Sequence, residues 1–249
     1  MQGHTRDLFA GAALDTRHER LAPGAWLLRG FALGQVPALL AAIDGIKAAA
    51  PFRHCVTPGG FRMSVAMTNC GGLGWVSDRA GYRYAACDPL SGVPWPAMPP
   101  VFLELARTAA QAGGFADFEP DACLVNRYEP GARLTLHQDK DERDLSAPIV
   151  SVSLGLPATF LFGGNARTDK QRRVPLQHGD VVVWGGPARL HHHGVLAVKD
   201  GNHEILGSQR LNLTFRRAAA LGPERQPVFT PPSIDSTAGV RQPLRSPQK

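Results

Sequence analysis

Residues 210–216, Arg-Leu-Asn-Leu-Thr-Phe-Arg, alternate without a break. Leu211, Leu213 and Phe215 share one parity; Arg210, Asn212, Thr214 and Arg216 share the other. Successive side chains of a strand point to opposite faces, so this is a strand with one apolar and one polar face. Facing solvent, its two arginines would be unremarkable. Lining a barrel interior, they would require anions, because an unpaired buried charge is costly. Arginine pairs with a carboxylate through parallel, charge-assisted hydrogen bonds, so a dicarboxylate would satisfy both. In a second segment, Leu124-Val-Asn126-Arg-Tyr128, Asn126 and Tyr128 fall on one face and would donate to the same ligand.

Outward from that strand, residues 123–128, 133–137, 149–154, 159–162, 180–184 and 211–216 read as short strands. Turn residues separate them: Pro130-Gly131, Gly163-Gly164-Asn165, His178-Gly179-Asp180 and Gly185-Gly186-Pro187. Short strands and turns at this pace predict a sandwich or jelly roll. Upstream, residues 24–31 read as a strand, 36–50 and 99–111 as amphipathic helices, and 51–100 as an irregular Gly- and Pro-rich stretch. Within that stretch, residues 63–68 read as a strand and 81–84 as part of a hairpin.

His137 and Asp139 stand two apart, so on a strand both side chains reach one metal. A histidine from His191-His192-His193 is the natural third ligand. His193 is preferred because Gly194 follows and a predicted strand lies just upstream. His191 has the same parity and is second, whereas His192 would point away. Two imidazoles and a carboxylate leave one side of an octahedral ion open, which suits Fe(II) with a bidentate co-substrate and O2. Zinc takes a similar set for hydrolysis, but has no need of a two-arginine grip. An H-x-D pair alone is common by chance, and most histidines bind nothing.

The 249 residues carry a net charge of +6, with 43% hydrophobic and 19% charged residues, an ordinary globular balance. The charge permits a polyanionic partner without establishing one. Four cysteines, Cys55, Cys70, Cys87 and Cys123, show no metal spacing and read as reduced thiols. No apolar run approaches 18 residues, and residues 1–9 carry no long apolar core, so no membrane span or signal peptide is expected and a cytoplasmic location is. The expected organisation is an arm over 1–20, an extension with helices over 21–120, a strand-rich core over 121–217 forming one unit with it, and a disordered tail over 218–249.

The chain resembles the AlkB family of Fe(II)- and 2-oxoglutarate-dependent dioxygenases, which repair alkylated DNA. The resemblance spans roughly residues 7–217 and includes Thr57-Pro-Gly-Gly60, Met63-Ser-Val-Ala-Met-Thr-Asn-Cys-Gly71, Leu73-Gly-Trp75 and Pro94-Trp-Pro-Ala-Met-Pro99. It continues through Leu136-His-Gln-Asp-Lys-Asp-Glu142, the segment from Pro148 to Pro157, His178-Gly-Asp-Val-Val-Val-Trp-Gly-Gly186 and Asn212-Leu-Thr-Phe-Arg216. It implies a mainly β, double-stranded β-helix (jelly roll) with flanking helices and an N-terminal nucleotide-recognition lid. It implies that His137, Asp139 and His193 hold iron. Arg210 would grip the distal carboxylate of 2-oxoglutarate, and Arg216, Asn212, Asn126 and Tyr128 would complete that pocket. Trp75, Tyr82, Tyr84, Asp141 and Arg167 match positions that handle the flipped base and its neighbours.

The implied reaction consumes 2-oxoglutarate and O2 and hydroxylates an alkyl group on a base nitrogen, as in 1-methyladenine or 3-methylcytosine. Formaldehyde, succinate and CO2 leave. The partners implied are alkylated single- or double-stranded DNA, with RNA a further candidate, no membrane, and a monomeric enzyme. Read directly, Met63, Met67, Trp75, Tyr82 and Tyr84 form a surface for an extruded base, although Trp75 taken alone reads as core. Asp141 would counter the positive charge of an alkylated base, and Arg53, Arg62, Arg79 and Arg83 would meet phosphates. The chain departs from the family at His191 and His192, where aromatics are usual, at Leu211 in place of Tyr, and in its long tail. Two other readings stand beside this one: a 2-oxoglutarate-dependent hydroxylase or demethylase of protein or a small molecule, and a non-catalytic jelly-roll binding module.

Overall fold

The computed structural model describes residues 18–219. In chain order the strands are β1 (His18–Ala22), β2 (Ala25–Leu28), β3 (Arg53–Val56), β4 (Arg62–Gly71), β5 (Gly74–Asp78), β6 (Gly81–Ala85) and β7 (Ala122–Tyr128). There follow β8 (Leu134–His137), β9 (Ile149–Gly155), β10 (Ala158–Phe162), β11 (Arg172–Leu176), β12 (Val181–Trp184), β13 (His193–Val195) and β14 (Arg210–Arg216). The helices are α1 (Val36–Ala49) and α2 (Pro100–Ala112). Eight strands form one sheet in the order β1-β2-β12-β9-β14-β7-β4-β3, four form another in the order β11-β10-β13-β8, and β5 pairs with β6 alone. All these pairings are antiparallel. Two antiparallel sheets sharing an inner core are the jelly roll that the strand pacing predicts.

The parity of β14 sorts the molecule into layers. Leu211, Leu213 and Phe215 join Val150, Val152 and Leu154 of β9 and Val181 and Val183 of β12 in a core roofed by both helices. The helices contribute Leu39, Ile43 and Ile46 from α1 and Phe102, Leu105 and Ala109 from α2, spaced at three or four residues and so on one side of each helix. Phe102 meets Phe215 edge to face, 5.6 Å between ring centroids. Burying one such side chain contributes roughly 1.5–3 kcal/mol. On the sheet's other side, Ile149, Val182, Trp184 and Tyr128 join Phe160 and Phe162 of β10 and Val174 and Leu176 of β11 between the sheets.

Several differences from the sequence reading fall at edges. The expected arm ends in β1, whose His18 to Arg20 pair with β2; residues 1–17 lie outside the described residues. The expected tail begins with two anchored residues, since the Asp121 carboxylate accepts the backbone N–H groups of Ala218 and Ala219; residues 220–249 lie outside the described residues. The unforeseen β3 and β11 are sheet edges. β11 contains Pro175, which lacks a ladder donor and is tolerated at such an edge.

Candidate metal and co-substrate centre

β8 and β13 are neighbours, and His137 stands directly opposite His193 in their register. Gly194 makes this approach feasible, because a Cβ there would lie 2.8 Å from the Leu134 carbonyl oxygen. One ligand atom each of His137, Asp139 and His193 lie within 4.8 Å of one another. His137 Nε2 is 3.5 Å from Asp139 Oδ1, and His193 Nε2 is 3.7 Å from Asp139 Oδ2. Each imidazole turns Nδ1 to a backbone carbonyl, His137 to Thr135 at 2.8 Å and His193 to His191 at 3.0 Å. A proton on Nδ1 satisfies that carbonyl and leaves Nε2 bare towards the triad's centre, the usual way a protein orients a ligating imidazole.

Electrostatics favour a cation here. Burial alone would raise the Asp139 carboxyl, but Arg216 and His193 hold it well below the usual carboxylate range. Burial, helped by His137, pushes His193 down towards the neutral form that binds metals. Burial opposes charge on His137 too, but the Asp139 carboxylate outweighs it and raises that imidazole. The donor set fits Fe(II), with one side left for further ligands.

The polar face of β14 lines the same cavity, of about 370 Å³. Arg210 is 1% exposed, and burial pushes its guanidinium below its ordinary pKa. Its Nη2 donates to Ser153 Oγ at 2.9 Å, and its carbon lies 4.8 Å from the Tyr128 ring centroid. Its Nε and Nη1 have no hydrogen-bond partner. Unpartnered donors on a buried cation call for an anionic acceptor, and a carboxylate supplies one. Beside it, Asn212 donates to Ser151 Oγ and the Val152 carbonyl, and its own Oδ1 accepts from Thr214 and Asn126. Asn126 Oδ1 is also unpartnered.

Arg216 lines this cavity as well. Its Nε and Nη2 both donate to Asp139 Oδ2, at 2.9 and 2.6 Å, so it holds the metal-ligand carboxylate first. Some placements differ from the sequence reading. His192 lines the cavity while His191 does not, the reverse of the parity argument. Both precede the start of β13, outside any strand, where strand alternation has no force. His191 packs instead on Phe162, at 5.3 Å between centroids.

At the cavity mouth, Trp75 and Tyr82 stack at 5.5 Å and 16°, and Trp75 Nε1 donates to Asp141 Oδ2 at 3.0 Å. Met67 and Arg167 also line the cavity, with Arg167 donating to the Leu136 carbonyl at 2.7 Å. Tyr84 does not line it; its hydroxyl donates to Glu142 Oε1 at 2.6 Å. Of the four arginines expected to meet phosphates, Arg53 pairs with Asp88 and Arg83 with Asp78, while Arg62 and Arg79 are exposed. Ser151, Ser153, Glu142, Arg189 and Trp184 were not singled out from the sequence. Only the serines carried a signal, alternating through Ile149-Val-Ser-Val-Ser-Leu as the polar residues of β14 do.

The model of the 2OG-Fe(II) oxygenase superfamily matches residues 24–216. The chain is 58% identical to the alpha-ketoglutarate-dependent dioxygenase AlkB of Salmonella typhimurium, over 86% of this chain and 98% of that protein. It is 57% identical to the protein of that name from Escherichia coli, over 85% of this chain and 97% of that protein. The solved structure of OsALKBH1 superposes with a TM-score of 0.70 at 32% identity, covering 80% of this chain and 99% of that one.

Proposed function

The chain belongs to the 2OG-Fe(II) oxygenase superfamily, and we propose from this a division of labour among its cavity residues. The protein is an Fe(II)- and 2-oxoglutarate-dependent dioxygenase that oxidatively demethylates alkylated nucleic acids. When bound, iron and 2-oxoglutarate activate O2 to attack an unactivated C–H bond, releasing succinate and CO2. His137, Asp139 and His193 hold the iron. Arg210 takes the distal carboxylate of 2-oxoglutarate, with Asn126, Tyr128 and Asn212 shaping the pocket around it. Arg216 keeps the Asp139 carboxylate oriented and charged.

Trp75 and Tyr82, beside Met67, offer ring faces to an extruded base, since chemistry on a base requires its removal from the stack. Asp141 attracts the positive charge that methylation places on adenine N1 or cytosine N3. Arg167 approaches the flanking nucleotide. The methyl carbon, once hydroxylated, leaves as formaldehyde: the C–N electron pair stays on the base nitrogen, which becomes neutral, and the hydroxyl proton passes to solvent. The β5–β6 hairpin acts as the nucleotide-recognition lid. Tyr84 supports this hairpin rather than the base. No helix among the described residues is long and apolar enough to cross a membrane, and a cytoplasmic monomer acting on DNA and RNA is the fuller reading.

The observation that carries the assignment is the buried Arg210, with two unpartnered donors in the cavity that the His-Asp-His set also lines. The test is formaldehyde release from 1-methyladenine and 3-methylcytosine in single-stranded DNA, duplex DNA and RNA. Turnover that needs 2-oxoglutarate and vanishes in His137→Ala is expected. Equal turnover in that variant refutes the iron ligands, and no release from any oligonucleotide refutes the substrate.

A further inference from the structure

Behind the metal ligands lies a second set of charges that the demethylation mechanism leaves unused. Glu142 has a side chain only 2% exposed, yet it is fully engaged. Its Oε1 accepts the Tyr84 hydroxyl at 2.6 Å and stands 3.3 Å from Arg216 Nε. Its Oε2 accepts from Arg189 Nη2 at 3.1 Å. Arg189 in turn donates through Nη1 to the backbone carbonyl of Asp139 at 2.7 Å and through Nε to that of Ala147 at 2.9 Å. Asp139 is therefore held twice, by Arg216 at its carboxylate and by Arg189 at its backbone. The Glu142 carboxylate touches both of these arginines.

The same carboxylate reaches outward. Tyr84 stands opposite Trp75 in the β5–β6 register. These two residues bind neighbouring acids, Trp75 to Asp141 and Tyr84 to Glu142. The hairpin thus grips the Asp139–Glu142 segment at two points. Burial keeps the Tyr84 phenol protonated, so it is a donor to Glu142. The hairpin's other ties run elsewhere: Ser77 to the Val56 carbonyl at 2.7 Å, and the Asn69 side chain to the Trp75 backbone at 3.0 Å.

We propose that Glu142 is a positioning residue for the metal centre, setting Asp139 through Arg216 and Arg189, and that the Tyr84 hydroxyl ties it to the base-recognition hairpin. Metal binding and seating of the hairpin then strengthen one another, since coupling between two sites is reciprocal. A nucleic acid held by the hairpin tightens the metal, and metal steadies the surface that receives the base. The inference rests on the iron assignment above.

The probe is Mn(II), which fills the site without turnover, titrated into the 2-oxoglutarate-bound protein, with hydrogen exchange read at the β5–β6 amides. Glu142→Gln keeps the volume but removes the charge. Loss of a group that orients a ligand costs about 10- to 100-fold in metal affinity, and about 10-fold weaker Mn(II) binding is expected. In the wild type, Mn(II) slows exchange of the hairpin. In Tyr84→Phe that metal-dependent slowing is lost and Mn(II) binds several-fold more weakly. Ser77→Ala, which cuts a tie not leading to Glu142, loosens the hairpin equally with and without metal. Wild-type affinity in Glu142→Gln, or undiminished metal-dependent slowing in Tyr84→Phe, overturns the proposal. Should Glu142→Gln not fold, Tyr84→Phe decides alone. Failure of the wild type to bind Mn(II) overturns the metal assignment itself.

Discussion

The large sheet has two faces with opposite chemistry, and β14 contributes to both. Towards the helices it buries Leu211, Leu213 and Phe215 among other apolar side chains. Towards the cavity it buries Arg210, Asn212, Thr214 and Arg216, each 6% exposed or less. The helix-side face gains free energy from burial alone. The cavity face loses it until a partner arrives, because charges removed from water are compensated only by good counter-charges. Arg216 has its counter-charge in Asp139. Arg210 has two donors waiting. A sheet whose one side is stable without ligand and whose other side is completed by ligand is a scaffold and a binding site back to back.

The sharpest way to break this contrast is at the metal ligands. Removing an ion that stabilises developing charge costs several kcal/mol in the transition state, so His137→Ala should bring formaldehyde release to background while the melting temperature stays near that of the wild type without metal. On the opposite face, Leu213→Ala should lower unfolding free energy by about 2–5 kcal/mol, read by urea denaturation, with 2-oxoglutarate affinity unchanged in the folded fraction. A large affinity loss there would show that the two faces are not separable.

Smaller effects sharpen the picture. Trp75→Ala should weaken binding of a methylated oligonucleotide, by roughly 1–3 kcal/mol for one lost base-stacking contact, with little change in co-substrate affinity. The smallest effect concerns a histidine in the turn between β11 and β12 and its neighbour in the segment before β14. His178 Nδ1 accepts the N–H of Gly155, which stands opposite Arg210, and His203 Nδ1 accepts the N–H groups of Ile205 and Leu206. The two rings lie 4.4 Å apart. Burial and the neighbouring His203 push the His178 imidazole below its ordinary value. Its contribution is therefore fully present above the unfolded pKa of about 6.5 and is lost as pH falls through the lower folded value. Unfolding free energy should drop between pH 7.5 and 5, and His178→Asn, which keeps an acceptor, should flatten that part of the curve.

Much of the core of this arrangement was legible in the sequence because alternation survives wherever a strand is buried on both sides by different partners. The parity of 210–216 predicted what the structure brings together, and the spacing of His137 and Asp139 did so too, although Asp139 lies past the end of β8. Parity failed at His191 and His192 because no strand is there to impose it. β3 and β11 were hidden because edge strands carry less of the apolar pattern, and β11 includes a proline. Glu142 and Arg189 were hidden for another reason. They are 47 residues apart, and a buried ion pair assembled from loops leaves no periodic trace. Tyr84 was matched by resemblance to the positions that handle the base and its neighbours, and the bond of its hydroxyl to Glu142 had no signal in the sequence.

The central claim is that the cavity face of β14 is completed by 2-oxoglutarate beside iron. An anaerobic titration of 2-oxoglutarate into the Fe(II)-loaded protein, followed through the metal-to-ligand absorption band, tests it most directly. The wild type should develop the band, and His137→Ala should not. Removing one partner of a buried charge pair costs about 2–5 kcal/mol, so Arg210→Met should shift half-saturation upward by about two orders of magnitude. A full band in His137→Ala, or an unshifted midpoint in Arg210→Met, would contradict the account.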